Sequence, residues 1–209
     1  MHRGKFISIE GGEGAGKTTQ ATLLARSLSA AGYQVLSVRD PGGTEIGEKI
    51  REILLDRSHH ELNARVELLL YLASRAQLVS QVIEPALSAG KVVITDRFHH
   101  STLAYQAGAR SLNMEMVREM NLFATAGILP DLTFLLDLPP EAGFERKGLA
   151  GGETDRMEGE GQAFHEWVRR TFLKLAEQDP ERIRVIDARQ TAEGIALEIS
   201  RQVMEKLEE

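Results

Sequence analysis

The sequence predicts an α/β protein whose core is a five-stranded parallel sheet covered by helices on both faces. Apolar runs of strand length alternate with helical patterns along the 209 residues, which is typical of parallel sheets buried on both sides. A glycine-rich loop also follows the first of these runs directly and opens a helix. The length suits one domain, residues 1–209.

The predicted elements follow from these patterns in chain order. The five strands are the near-continuous apolar runs at residues 5–10, 34–40, 91–96, 131–138 and 182–187. The predicted helices are about Lys17 to Ala31, a segment after Thr44, about Leu62 to Ser88, and a last helix to the C-terminus. Ligands of such sheets bind at the carboxyl ends of the strands, so we expect the functional residues there.

Composition excludes several classes of protein. The net charge of -6 does not favour long-range attraction to nucleic acid or to an anionic membrane. The chain has no cysteine, which excludes disulfides and thiolate metal sites. The N-terminus lacks an apolar signal segment, and no run approaches the ~18 apolar residues of a membrane span. These features predict a cytoplasmic protein without nucleic acid or membrane partners.

The glycine-rich loop fits the pattern GxxxxGK[ST] and predicts a phosphate-binding loop. Its glycines let backbone N–H groups converge on phosphate oxygens, Lys17 adds a point charge, and Thr18 can ligate Mg²⁺. The predicted phosphate-binding residues of this loop are Gly11, Gly12, Glu13, Gly14, Ala15, Gly16, Lys17, Thr18 and Thr19.

The end of the third strand separates phosphoryl transfer from other uses of such a loop. A guanine-nucleotide switch normally carries Asn-Lys-x-Asp, and no lysine of this chain is followed two positions later by Asp. A transport or motor ATPase is disfavoured because the acid that ends the strand, Asp96, is followed at once by Arg97. Asp96 can reach Mg²⁺ through water while Arg97 neutralises an acceptor phosphate. The alternative is a helix-capping acid beside a surface arginine.

Further side chains after the first three strands suggest a second substrate. Tyr71 and Arg75 share one helix face, where a ring can stack on a base and a guanidinium can bind its edge. The alternative for Tyr71 is a core position, since an aromatic at helical spacing usually packs inside. Arg51 could meet a phosphate or be a solvated charge, and Tyr105 and Gln106 are equally open.

Residues 146–161, RKGLAGGETDRMEGEG, are rich in glycine and charge and lack apolar periodicity. This composition predicts a mobile surface loop rather than core. It is either a tolerated surface insertion or a lid that closes over substrate.

Six motifs together resemble one family. They are EGGEGAGKTTQ, RDPGGTEIGEKIR, LLLYLASRAQ, DRFHHSTLAYQ, PDLTFLLDLPPE and ETDRME, in the order and spacing of bacterial thymidylate kinases. The resemblance extends from Ile7 to the C-terminal helix. It implies the P-loop nucleoside monophosphate kinase fold with a small lid, transfer of the γ-phosphoryl group of ATP to dTMP with Mg²⁺ to give dTDP and ADP, and a homodimer.

The resemblance also implies residue roles. Lys17 and Thr18 would hold the phosphates and the metal, with Asp96 reaching the metal through water. The implied dTMP-binding residues are Glu13 near the sugar 3′-hydroxyl, Arg97 with Arg51 on the 5′-phosphate, Tyr71 on the base, Arg75 at O4, Thr102 and Gln106 at the polar base edge, and Tyr105 under the deoxyribose. Arg189, with Gln190, would lie near the adenine of ATP.

Three departures from the family pattern bear on the site. Tyr71 stands where the family usually has Phe, which adds a hydroxyl and leaves another deoxynucleotide or a nucleoside open as acceptor. Asp40 stands where Glu is usual, so a direct ligand role for Asp40 is in doubt. Gly151 stands where some bacterial relatives have Arg.

The loop itself carries no arginine, since Gly14 occupies the position of the arginine of eukaryotic relatives. The chain therefore resembles the bacterial subtype with its catalytic arginine in the lid, and Arg156 is expected in that role, with Arg146 and Lys147 next. With Lys17, Arg97 and Glu13 this completes the expected catalytic set. A nucleotide-binding regulator without turnover remains the alternative from another class.

Overall fold

The five predicted strands form one parallel sheet. The computed structural model describes residues 3–151 and 155–208, and the strand order is β2-β3-β1-β4-β5. The strands are β1 Phe6–Gly11, β2 Val35–Arg39, β3 Val92–Asp96, β4 Leu132–Asp137 and β5 Ile183–Asp187. All neighbours pair in parallel, so the sequence-based prediction of the sheet is confirmed.

Helices cover both faces of the sheet. They are α1 Lys17–Ala30, α2 Glu45–Leu55, α3 Ala64–Leu78, α4 Glu84–Ser88, α5 His99–Thr102, α6 Met114–Ala124, α7 Pro140–Ala150, α8 Gln162–Gln178 and α9 Ala192–Glu208. A π-helical segment, Leu103–Ala109, continues α5. Apolar residues of α1 and α9 pack on one face of β1, around Ile7 and Ile9. On the other face, α3, α8 and the π-helical segment share a second cluster.

The helix predicted as one piece from Leu62 to Ser88 is interrupted. A π-helical turn, Val79–Ile83, separates α3 from α4. Pro85 is the second residue of α4. Because proline has no N–H and its ring crowds the preceding turn, the regular hydrogen-bond ladder cannot pass it unchanged.

Among the residues that the structure describes, one helical run is long and apolar enough to cross a membrane by length and composition. This run, Ala64–Ser88, has a mean hydropathy of 1.2, and 44% of its window is buried inside the protein. Glu67 and Arg75 lie within it and are buried with charged partners. These are the features of a core helix.

The glycine-rich segment 146–161 is not the continuous surface loop that its composition predicts. Residues 146–150 belong to α7, which Gly151 ends in the left-handed conformation. Arg156 and Met157 are buried, and Met157 packs in the cluster shared by α3 and α8. Residues 152–154, the start of the ETDRME motif among them, lie outside the described residues.

Candidate active site

A cavity of about 990 Å³ opens at the carboxyl ends of the strands. It lies where the chain leaves β1 and β3, which are neighbours in the sheet. The backbone N–H of Arg97 donates to the carbonyl of Ile9 over 2.9 Å, which joins the two strand ends. The cavity therefore occupies the position at which parallel sheets bind ligands.

The glycine-rich loop forms one wall of this cavity. Lys17 begins α1 and its ammonium donates to the carbonyl of Gly12 over 2.7 Å. Burial, and then the charge of Arg97, lower the pKa of Lys17. Gly14 (φ 68°) lies so close to α7 that a Cβ there would sit 2.2 Å from the carbonyl oxygen of Gly143, so only glycine fits this approach.

Thr18 and Asp96 meet at the cavity wall. The Thr18 hydroxyl donates to Asp96 Oδ2 over 2.5 Å, and both side chains line the cavity. A hydroxyl and a carboxylate are hard oxygen donors of the kind that Mg²⁺ prefers, and Mg²⁺ usually keeps waters and substrate phosphates as its other ligands. Among residues 3–151 and 155–208, no group of three or more His, Cys, Asp or Glu is placed to hold a metal ion. The donor set thus fits a nucleotide-bound Mg²⁺.

Arg97 joins the loop to the far side of the cavity. Its Nη1 donates to the carbonyl of Gly11 over 3.0 Å, and its Nη2 donates to Glu13 Oε1 over 2.5 Å. The Tyr105 hydroxyl donates to the same Glu13 oxygen over 2.8 Å. Burial alone would raise the pKa of Glu13, but Arg97 and Lys17 outweigh it and hold that pKa far below its usual range. Glu13 is therefore a carboxylate among cations.

Glu10 positions the segment that carries Arg97 and was missed at the sequence level. Its fully buried carboxylate accepts from the Phe98 N–H over 2.9 Å and from the Ser101 hydroxyl over 2.6 Å. Burial raises its pKa to about 7, although the bonds from Ser101 and the charge of Arg97 oppose the shift. The available signal was a charged residue inside an otherwise apolar strand, which is unusual unless the residue is paired.

Arg75 lines the cavity but is largely engaged by the protein. Its Nε donates to Asp40 Oδ2 over 2.5 Å, and its Nη1 donates to Thr102 over 2.7 Å and to Asn121 over 2.5 Å. Arg75 is only 1% exposed. Asp40 and Asn121, neither of which the sequence assigned as a partner, therefore fix the guanidinium at the cavity wall.

Tyr71 and Arg51 also face the cavity. The Tyr71 side chain is half-buried and lines the wall rather than filling the core, so the core alternative for this aromatic is wrong. Arg51 is half-buried and its Nη1 donates to the carbonyl of Pro41 over 2.9 Å, so it is not a freely solvated charge.

Gln106 completes the far wall and is only 1% exposed. Its side-chain amide donates to Glu67 Oε1 over 2.8 Å. Glu67 was not among the expected site residues. The sequence feature that could have identified it is an acidic residue within an apolar helix, one helical turn before Tyr71. With Gln106, the structure brings together most of the expected set. The cavity-lining members are Glu13, Gly14, Gly16, Lys17, Thr18, Thr19, Arg51, Tyr71, Arg75, Asp96, Arg97, Thr102, Tyr105 and Gln106.

Arg156 is the main exception. It does not line the cavity, and its Nη1 pairs with Glu67 Oε2 at 2.7 Å while its Nε donates to the carbonyl of Leu54 over 2.8 Å. The expectation that Arg156 faces the phosphates is thus not met in this structure, because a buried carboxylate holds it elsewhere. Arg146 and Lys147 of α7 do line the cavity.

Other expected residues also lie outside the cavity lining. Arg189 is exposed and lies just after β5. It pairs with Asp187, the last residue of that strand, with Arg189 Nη2 2.8 Å from Asp187 Oδ2. Gly11, Gly12 and Ala15 contribute to the loop without lining the cavity, and Ala15 is buried beneath it.

The arrangement can hold two anionic ligands side by side. Lys17 and the start of α1 attract one phosphate chain, and Arg97 with Arg51 supplies positive charge across the same space. Such a site lowers the repulsion between two phosphorylated ligands and aligns them, which is most of what phosphoryl transfer requires.

Comparisons with known proteins agree with this geometry. The family model described as thymidylate kinase matches residues 9–199. A thymidylate kinase of Exiguobacterium is 47% identical over 206 residues, which cover 99% of this chain and 97% of that protein. The thymidylate kinase of Pseudomonas syringae pv. tomato is 45% identical over 205 residues, covering 98% and 97%.

A solved structure is similar as well. The crystal structure of thymidylate kinase from Ehrlichia chaffeensis superposes with a TM-score of 0.79 at 30% identity, covering 97% of this chain and 99% of that chain.

Proposed function

The chain belongs to the thymidylate kinase family and phosphorylates dTMP to dTDP with ATP, and we propose that the large cavity is where this transfer takes place. One observation carries the proposal. Arg97 reaches from the end of β3 to the loop carbonyl of Gly11, while Lys17 faces the same space. One cation for each ligand thus lines a single cavity.

In this proposal the loop binds ATP and the opposite wall binds dTMP. Lys17 neutralises the β- and γ-phosphates, and Arg97 with Arg51 holds the 5′-phosphate of dTMP. When dTMP binds, its sugar 3′-hydroxyl replaces the Tyr105 hydroxyl as the hydrogen-bond donor to Glu13. Tyr105 packs under the deoxyribose. Because the acceptor is already an oxyanion, no general base is required.

The base lies between Tyr71 and the polar wall. Tyr71 stacks on the ring, and its hydroxyl is accommodated by water at the half-buried wall. Arg75 reads O4, and Thr102 and Gln106 meet the remaining polar edge. Asp40 holds Arg75 rather than touching dTMP. Arg189 remains a proposed neighbour of the adenine, by its place after β5.

In this account Thr18 would hold the Mg²⁺ of ATP directly, and Asp96 would hold it through water. The ion would supply positive charge that offsets the charge of the ATP phosphates. The chemistry of the Thr18–Asp96 pair supports this assignment.

Residues 146–161 act as a lid whose cation stabilises the phosphoryl group in flight. Arg146 is the candidate that the geometry favours, because it lines the cavity and has no ion pair with any residue of the described ranges. Lys147 also lines the cavity but pairs with Glu158. Closure of the lid excludes water and so prevents ATP hydrolysis. Arg156 serves as the lid cation only if it leaves Glu67 when the lid closes.

We further propose a homodimer that forms through α3 and α6. Val66 and Leu69 on α3 are 44% and 55% exposed, and Met116 and Phe123 on α6 are 39% and 90% exposed. Exposed apolar side chains on two neighbouring helices are typical of an interface between copies. A cytoplasmic location without nucleic acid or membrane partners is supported by the net charge of -6. Light scattering after gel filtration tests the dimer, and Phe123→Glu is expected to make it monomeric.

A substrate panel tests the function. ADP release is measured with ATP and each of dTMP, dUMP, dCMP, dGMP and AMP. We expect clear preference for dTMP, whereas equal rates with all acceptors would contradict it. Binding of ATP without ADP release in the presence of any acceptor would favour a nucleotide-binding regulator without turnover.

A further inference from the structure

Glu67 lies at the centre of a buried polar cluster that no expected role explains. Its side chain is fully buried. Gln106 Nε2 donates to Oε1 over 2.8 Å, Arg110 Nη2 lies 3.1 Å from Oε2, and Arg156 Nη1 lies 2.7 Å from Oε2. The Glu67 carboxylate therefore contacts the Gln106 amide of the π-helical segment and the Arg110 guanidinium just after that segment. It also contacts the Arg156 guanidinium, which follows α7.

This arrangement fixes the orientation of the Gln106 amide. A carboxylate held by two guanidinium groups accepts hydrogen bonds and does not donate them. The NH₂ group of Gln106 must therefore face Glu67, and the amide cannot turn over without placing two acceptors against each other. Gln106 Oε1 has no hydrogen-bond partner in the described part of the chain, and Gln106 lines the cavity. The amide thus offers its ligand an acceptor.

We propose that Glu67 sets the pyrimidine selectivity of the site by holding Gln106 with its carbonyl oxygen toward the base. The inference rests on the proposed function, in which Gln106 meets the polar edge of the base. Thymine and uracil carry an N3–H donor on that edge, which matches a carbonyl oxygen. Cytosine carries an unprotonated N3, which would face that oxygen as a second acceptor and leave both groups unpaired at a cost.

Glu67 is a positioning residue in this account, since it acts through Gln106. Arg156 and Arg110 both pair with Oε2 of the carboxylate, and Arg110 Nε also donates to Oε1 over 3.3 Å. Glu160 pairs with Arg110 at 2.5 Å. Glu160 bonds Arg110 and has no hydrogen bond to Gln106 among the described residues, which makes Glu160 a suitable control.

The test compares Glu67→Gln with the wild type in kcat/KM for dTMP, dUMP and dCMP. The new amide can donate to Gln106 Oε1, so Gln106 is free to turn its NH₂ group toward the base. We expect the dTMP-to-dCMP ratio of kcat/KM to fall about tenfold or more, because one hydrogen-bond match is reversed. The dTMP-to-dUMP ratio is expected to stay within about twofold, because both bases present the same edge.

Glu160→Gln is the matched control, since it removes a carboxylate from the same cluster but not the one that contacts Gln106. Its dTMP-to-dCMP ratio is expected to equal that of the wild type. If Glu67→Gln lowers kcat/KM for dTMP and dCMP by the same factor, Glu67 only supports the fold and the proposal is overturned.

Two further measurements separate the possible failures. Gln106→Leu is expected to lower the dTMP-to-dCMP ratio as well; an unchanged ratio would overturn the placement of the base, and with it this part of the proposed function. If Glu67→Gln does not fold, hydrogen exchange of the Gln106 side-chain amide in the wild type decides. Slow exchange with and without dTMP supports the proposal, and rapid exchange in both states overturns it.

Discussion

Arg75 and Asp40 form an ion pair that is closed off from solvent, with Arg75 Nε 2.5 Å from Asp40 Oδ2 and the side chains 1% and 0% exposed. The pair joins α3 to the segment that follows β2. It gives Asp40, which lines the cavity, a structural role: Asp40 fixes the guanidinium that we propose reads the base.

Removing the carboxylate of this pair is therefore expected to cost stability as well as affinity. Asp40→Ala leaves a buried guanidinium without its counter-charge, which lowers the free energy of unfolding by about 3 kcal/mol or more. Urea unfolding measures the stability, and KM for dTMP is expected to rise in parallel. Asp40→Asn, which keeps an acceptor oxygen, is expected to lose less; equal stability of Asp40→Ala and the wild type would refute the role.

Glu10 gives the fold a pH dependence with a definite sign. Its pKa rises from 4.5 to about 7 in the folded protein, so the folded state retains a proton that the unfolded chain releases between these values. This contribution to stability is complete below pH 4.5 and is lost as the pH rises through 7.

One pKa unit corresponds to 1.36 kcal/mol, so the free energy of unfolding is expected to fall by about 3 kcal/mol over this pH range. Glu10→Gln cannot titrate and is expected to lack this component. The measurement is the free energy of unfolding at pH 5 and pH 8 in both proteins. Identical pH dependence would show that Glu10 is not the titrating group.

The comparison of Glu10, Asp40 and Glu67 shows where sequence reasoning ends. All five strands were predicted because a buried parallel strand is a local apolar run that needs no knowledge of its neighbours. The loop and Arg97 were predicted because their chemistry also follows a local pattern.

The positioning residues have distant partners: Glu10 bonds Phe98 across 88 positions, Asp40 bonds Arg75 across 35 and Glu67 bonds Gln106 across 39. Only the folded chain brings such pairs together. The place of Arg156 could not be predicted for the same reason, since Glu67 determines it.

The lid cation can be identified by comparing two arginines. Arg146→Ala is expected to lower kcat about 10²-fold with little change in KM for dTMP, because a charge used only in the transition state is lost. Arg156→Ala is expected to lower stability more than kcat, since it uncovers the buried carboxylate of Glu67. Steady-state kinetics with thermal unfolding distinguishes them, and the reverse pattern would assign the transition-state role to Arg156.

The Thr18–Asp96 pair predicts how the enzyme responds to metal. Chelation of Mg²⁺ is expected to abolish transfer without unfolding the protein, because no group of three or more His, Cys, Asp or Glu in residues 3–151 and 155–208 is placed to hold a structural metal ion. Asp96→Asn is expected to raise the Mg²⁺ concentration for half-maximal rate about tenfold or more, as for other residues that hold a metal through water. A titration of rate against Mg²⁺ measures this shift; an unchanged midpoint would remove Asp96 from the metal site.

The central claim is that one cavity holds both ligands, with Arg97 serving the acceptor. A single-turnover experiment with γ-labelled ATP and dTMP tests it most directly, in the wild type and in Arg97→Ala. We expect label to pass to dTDP in the wild type and to fall about 10²-fold or more in the variant at equal occupancy of ATP. Transfer at the wild-type rate in Arg97→Ala would contradict the account.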